Sequence, residues 1–198
     1  MKKIELAYRH LLHEAMEKKN RELTISALAK TLNLSLSTVH LALKPLVRMN
    51  AVKMKLRGFT VVDIRKILYY WASIRNIEKD IIYATRVEEP VREIEKQMPD
   101  NIVFTAFSGC KFKFKDVSAD YSEVYVYGDE SLKKRWKEDK NNLKNRPNLF
   151  VLQNDEMIGS YGKTATMANL FVDLWNMKQW YAKDFLTALE VHLGRILE

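Results

Sequence analysis

The chain has 198 residues, 47% apolar and 29% charged, with 33 Lys and Arg against 25 Asp and Glu and a single cysteine, Cys110. That length suffices for one large core or two small ones, and one cysteine excludes an internal disulfide. No run approaches the ~20 apolar residues that span a bilayer, and the charged start Met1-Lys2-Lys3-Ile4-Glu5 lacks the apolar block of a secretory signal, which points to a soluble, cytoplasmic protein.

In chain order, Ile4, Leu6, Ala7, Leu11, Leu12, Ala15 and Met16 recur at helical spacing and predict a helix over 4–19. Thr24 or Ser26 opens a second helix whose Ile25, Leu28, Ala29 and Leu32 face one side. Asn33-Leu34 is a turn, and Ser35 caps a third helix that turns Val39, Leu43, Leu46 and Val47 inward. Pro45 predicts a kink or a restart in that helix, because it removes a hydrogen bond and clashes with the Leu41 carbonyl. Residues 52–62 alternate as a hairpin with its turn at Arg57-Gly58, and Asp63 caps a helix reaching about Ile77.

Beyond that helix the pattern predicts strands over 80–87, 102–107, 123–127 and 149–152. It predicts helices over 91–98, 131–140, 166–175 and 179–197, with turns at Pro99-Asp100-Asn101 and Asn145-Arg146-Pro147-Asn148. The boundary between two domains is expected near the end of the helix that follows Asp63, dividing the chain into 1–78 and 79–198. The fold class is α+β.

Charge divides unevenly. Residues 1–66 carry 14 Lys and Arg against 5 Asp and Glu, a net of +9, and the remainder carries 19 against 20. A local cationic excess is the footprint of a polyanion partner, since phosphate contacts gain from counterion release. The segment from Ile25 to Leu46 resembles the winged helix-turn-helix of bacterial and archaeal regulators. In that reading Ser35, Ser37 and Thr38 begin the third helix close to phosphates. Its outer face carries Ser37, Thr38, His40, Leu41 and Lys44 into the major groove, with His40 and Lys44 reading base edges. Lys53, Lys55 and Arg57 on the wing reach flanking phosphates or the minor groove. The DNA-contact set is therefore Ser35, Ser37, Thr38, His40, Lys44, Lys53, Lys55 and Arg57, and the partner is double-stranded DNA.

The segment from Tyr121 to Glu190 resembles the antitoxin of the abortive-infection AbiEi type. The resemblance lies in Glu123-Val124-Tyr125-Val126-Tyr127-Gly128, Asn148-Leu149-Phe150-Val151-Leu152, the helix Thr166–Trp175 containing Asn169-Leu170-Phe171-Val172-Asp173-Leu174, and Ala182–Leu189. It implies a small α/β domain like a degenerate nucleotidyltransferase, behind a winged helix-turn-helix. It also implies a transcriptional regulator of a toxin–antitoxin operon, with a toxin and a second copy of the chain as candidate partners. The alternative is an antitoxin that acts mainly by neutralising a nucleotidyltransferase-like toxin through protein contact.

A further alternative is an active nucleotidyltransferase. That chemistry needs a Gly-Ser pair at a strand end and two or three carboxylates for Mg²⁺. The chain offers Ser108-Gly109 in reverse order, read as an ordinary turn, and Glu123-Val124-Tyr125 with Tyr125 in place of an acid, so no catalysis, metal or cofactor is expected. Three other features receive plain readings. Cys110 is expected half-buried, and His10, His13 and Glu14 are expected to face solvent rather than hold a metal. Phe112 and Phe114 alternate with Lys111, Lys113 and Lys115, which predicts core aromatics opposite exposed lysines on a strand. Trp175, Trp180 and Tyr181 are expected to pack in a core or an interface.

Overall fold

The computed structural model describes residues 1–115, 118–136 and 146–194. The chain forms two compact units. The first comprises Met1–Arg75, Thr166–Val172 and the described residues from Glu190 onward; the second comprises Asn76–Ala165 and Asp173–Leu189. The architecture is α+β with two sheets.

The first unit begins with α1 (Lys3–Met16), then β1 (Glu22–Leu23), α2 (Ile25–Thr31), α3 (Leu36–Arg48), β2 (Val52–Lys55), β3 (Gly58–Val61) and α4 (Ile64–Ile74). Leu11, Leu12, Leu28, Val39, Leu43, Leu46 and Ile67 are at most 2% exposed and form its core. α1 stops short of Lys19, which takes a left-handed φ of 57°. β1 has no counterpart in the sequence reading, because two residues carry no periodic signal; it pairs antiparallel with β3, Glu22 opposite Thr60, and completes the order β1-β3-β2.

Two buried polar anchors hold this unit. The Glu5 carboxylate accepts from Trp71 Nε1 at 3.1 Å and from the Arg75 guanidinium at 3.4 Å, all three residues being buried. α3 runs through Pro45 as one helix rather than restarting. The Tyr8 hydroxyl donates to the Ala42 carbonyl of this helix at 3.0 Å.

The second unit contains β4 (Ile81–Thr85), α5 (Val91–Lys96), β5 (Val103–Thr105), α6 (Ala106–Phe114), β6 (Val124–Gly128), α7 (Leu132–Arg135) and β7 (Leu149–Gln153). The final helices are α8 (Met167–Trp175) and α9 (Ala182–Leu193). The sheet order is β4-β7-β6-β5; β6 and β7 are parallel, and both outer pairings are antiparallel. Every residue of β6 is buried, the mark of a strand covered on both faces, with Val124, Val126, Leu149 and Val151 in the core cluster. Parts of the predicted helices over 131–140 and 179–197, and Asn145 of the predicted turn, lie outside the described residues. Asn148 of that turn extends the pairing instead, accepting from Val87 N at 2.8 Å and donating to Val87 O at 2.9 Å.

One expectation fails outright. The strand predicted over 102–107 ends at Thr105, and Ala106–Phe114 is helix, so Phe112 and Phe114 do not alternate with lysines on a strand. The 2-residue alternation over 111–115 competed with a helical one through Ala106, Phe107, Cys110 and Phe114, and packing decided between them. Lys111 reaches the buried Glu95 carboxylate at 2.5 Å, and the Phe112 ring leans on Phe104 with centroids 4.7 Å apart. Among the described residues no helix is long and apolar enough to cross a membrane.

Candidate nucleic-acid interface

The candidate interface is built on α2, α3 and the β2–β3 hairpin. Thr24 caps α2, its hydroxyl accepting from Ala27 N at 3.1 Å. The helix ends with Asn33 at φ 51°, where Leu34 N donates to Ala29 O at 2.9 Å and Asn33 N donates to Lys30 O at 3.3 Å. That pair of reverse bonds closes the helix, and asparagine tolerates the left-handed backbone it requires. Ser35 then caps α3, accepting from Thr38 N at 3.1 Å. With Val39, Ala42, Leu43 and Leu46 buried, α3 turns Leu36, Ser37, His40, Leu41 and Lys44 to the surface.

The three hydroxyls foreseen at the start of α3 lie together. Ser35 Oγ is 2.9 Å from Ser37 Oγ and 2.8 Å from Thr38 Oγ1. Ser35 and Ser37 are exposed and Thr38 is half-buried. His40 and Lys44 are exposed one turn apart on α3.

The hairpin turns over Leu56 and Arg57, one residue earlier than expected, with Lys55 opposite Gly58. Gly58 has φ 130°, and a Cβ there would stand 2.4 Å from the Leu23 carbonyl oxygen, so only glycine fits. Lys53, Lys55 and Arg57 are all exposed. Lys55 is not free, however; it pairs with Glu22 from β1. Among the described residues Lys44, Lys53 and Arg57 have no ion-pair partner.

A cavity of about 480 Å³ lies between the start of α3 and the hairpin and gathers His40, Lys55 and Arg57 with Thr24, Ser26, Ile25, Leu36, Met54 and Leu56. Ser35, Ser37, Thr38, Lys44 and Lys53 do not line it. Sequence reasoning missed Glu22 and three apolar members of this surface: Leu36 is 54% exposed, Met54 41% and Leu56 99%, whereas Leu41, expected on the outer face of α3, is 63% exposed. One signal was legible. No Asp or Glu occurs between Glu22 and Asp63, a stretch holding Lys30, Lys44, Arg48, Lys53, Lys55 and Arg57.

In the second unit the catalytic candidates are placed structurally. Ser108 and Gly109 are buried inside α6, not in a turn. Tyr125 is 5% exposed; its ring stacks on Phe150 with centroids 4.5 Å apart, and its hydroxyl accepts from Gln179 Nε2 at 3.1 Å. Burial pushes this phenol up to about 12. Cys110 is 5% exposed rather than half-buried, and burial pushes its thiol up to about 12. Glu95 accepts from the Tyr121 hydroxyl and from Lys111, each at 2.5 Å.

His10 and His13 do not face solvent freely: both are half-buried, and His13 Nδ1 lies 3.3 Å from Glu17. Among the described residues no group of three or more His, Cys, Asp or Glu is placed to hold a metal ion. Tyr181 is buried, whereas Trp175 and Trp180 are 47% and 80% exposed. The chain matches no protein-family model, no curated protein and no solved structure.

Proposed function

We propose that the first unit is a winged helix-turn-helix that binds double-stranded DNA, and that the chain is a sequence-specific transcriptional regulator without catalytic activity. The observation that carries this reading is the acid-free run between Glu22 and Asp63 folded into a surface where α3 and the hairpin expose His40, Lys44, Lys53 and Arg57. A cationic surface built on a helix flanked by a hairpin suits a duplex, whose major groove admits one helix while the hairpin meets the neighbouring backbone. Lys44, Lys53 and Arg57 need break no ion pair with a described residue to meet phosphate. Autoregulation of a toxin–antitoxin operon is the role that the antitoxin resemblance adds. The absence of nucleotidyl transfer is supported by Tyr125, whose ring and hydroxyl are committed to Phe150 and Gln179 where a metal-binding acid would stand.

The test is titration of the full chain into labelled duplex over a range of salt. Binding whose log K falls linearly with log salt is the expected result; salt-independent binding, or none, refutes it. The second reading, neutralisation of a toxin by protein contact, is favoured by the 80% exposure of Trp180, since exposed tryptophans are common anchors of protein interfaces. Its test is co-purification with the product of the adjacent gene, lost in Trp180→Ala.

A further inference from the structure

We infer that α3 reads thymine through the C5-methyl group, using Leu36 and Leu41. The inference rests on the duplex reading above and names what the helix recognises. The outer face expected from the sequence held one leucine, Leu41; the structure adds Leu36, so two exposed leucines interleave with His40 and Lys44: Leu36 is 54% exposed and Leu41 63%. Leu36, His40 and Lys44 follow one another at four-residue intervals, and Leu41 lies beside them, so all four occupy one outward face.

Isolated exposed leucines need no explanation, yet among the described residues five of the nine exposed large apolar side chains fall between Leu36 and Val62. The charge around them selects the occupant. The α3–hairpin segment is acid-free and carries Lys44, Lys53 and Arg57, which have no ion-pair partner among the described residues and complement phosphate. In a hydrated major groove an aliphatic side chain has one apolar partner, the thymine methyl. His40 and Lys44, one turn apart, then supply polar contacts to neighbouring bases.

The experiment selects the preferred duplex from a randomised library with the full chain, then replaces each thymine in turn by deoxyuridine. One or two replacements are expected to weaken binding about fourfold each, the value for one methyl-sized group taken out of water. Leu36→Ala or Leu41→Ala, both at exposed positions, is expected to abolish the corresponding loss. Undiminished affinity with every thymine replaced overturns the inference. So does thymine selection that survives in the Leu36→Ala, Leu41→Ala double variant. Duplex binding without sequence preference overturns thymine reading and leaves duplex binding standing; absence of duplex binding removes both.

Discussion

Removing Lys53 and Arg57 together is expected to weaken duplex binding and flatten its salt dependence, whereas Lys55 is expected to matter less than either. Lys53 and Arg57 are exposed and have no ion-pair partner among the described residues, so each is free to displace one counterion equivalent. At about 0.9 per phosphate contact, Lys53→Ala with Arg57→Ala flattens the slope of log K against log salt by about 1.8. Between about 50 mM and about 200 mM salt that change alters the wild-type to variant ratio by roughly tenfold. Lys55 instead pairs with Glu22, the two side chains being 47% and 70% exposed. Such an exposed pair contributes about 0.2–1 kcal/mol, which phosphate must displace. Glu22→Gln releases the lysine and removes a nearby negative charge, so it is expected to tighten binding by up to about fivefold. The assay is fluorescence anisotropy of a labelled duplex with full-length chain at several salt concentrations. An unaltered slope in the double variant, or weaker binding in Glu22→Gln, would refute the electrostatic assignment.

Other substitutions and conditions probe the fold beneath the interface. Gly58→Ala places a Cβ 2.4 Å from the Leu23 carbonyl oxygen at φ 130°, so denaturant unfolding should show a loss of at least about 2 kcal/mol; wild-type stability would mean the hairpin turns differently. Cys110, with its thiol pushed up to about 12 by burial, should resist thiol reagents at pH 8 in the native chain and react fully in denaturant. Burial, aided by Arg9 and His13 and opposed by Glu14, holds His10 below its ordinary value. The unfolded chain therefore binds this proton more readily, and stability should fall as pH drops through 6.5, the value of the unfolded group. His10→Gln should flatten that fall; an unchanged urea midpoint profile would remove His10 as its source.

The N-terminal elements were legible because their signals were local. Thr24, Ser35 and Asp63 cap the helices they were expected to cap, and helical periodicity picked out Leu28, Ala29, Val39, Leu43 and Leu46, all of which are buried. What was lost depended on long-range contact. Glu22 meets Lys55 only because a two-residue strand pairs across β3, which no local pattern announces. α6 was misread because the Phe and Lys alternation is strand-like in isolation, and only Glu95 and the neighbouring aromatics settle it as helix. Leu41 was legible as outward-facing from its angular position against Val39 and Leu43, whereas Leu36, at the first residue of α3, and Leu56, in the hairpin turn, carried no such signal.

The most direct measurement is amide chemical-shift mapping of the full chain on addition of duplex DNA. The proposed interface requires the largest changes at residues 35–44 of α3 and 53–58 of the hairpin, with the four-stranded sheet of the second unit little affected. Changes concentrated on β4, β5, β6 and β7, with α3 and the hairpin silent, would contradict it.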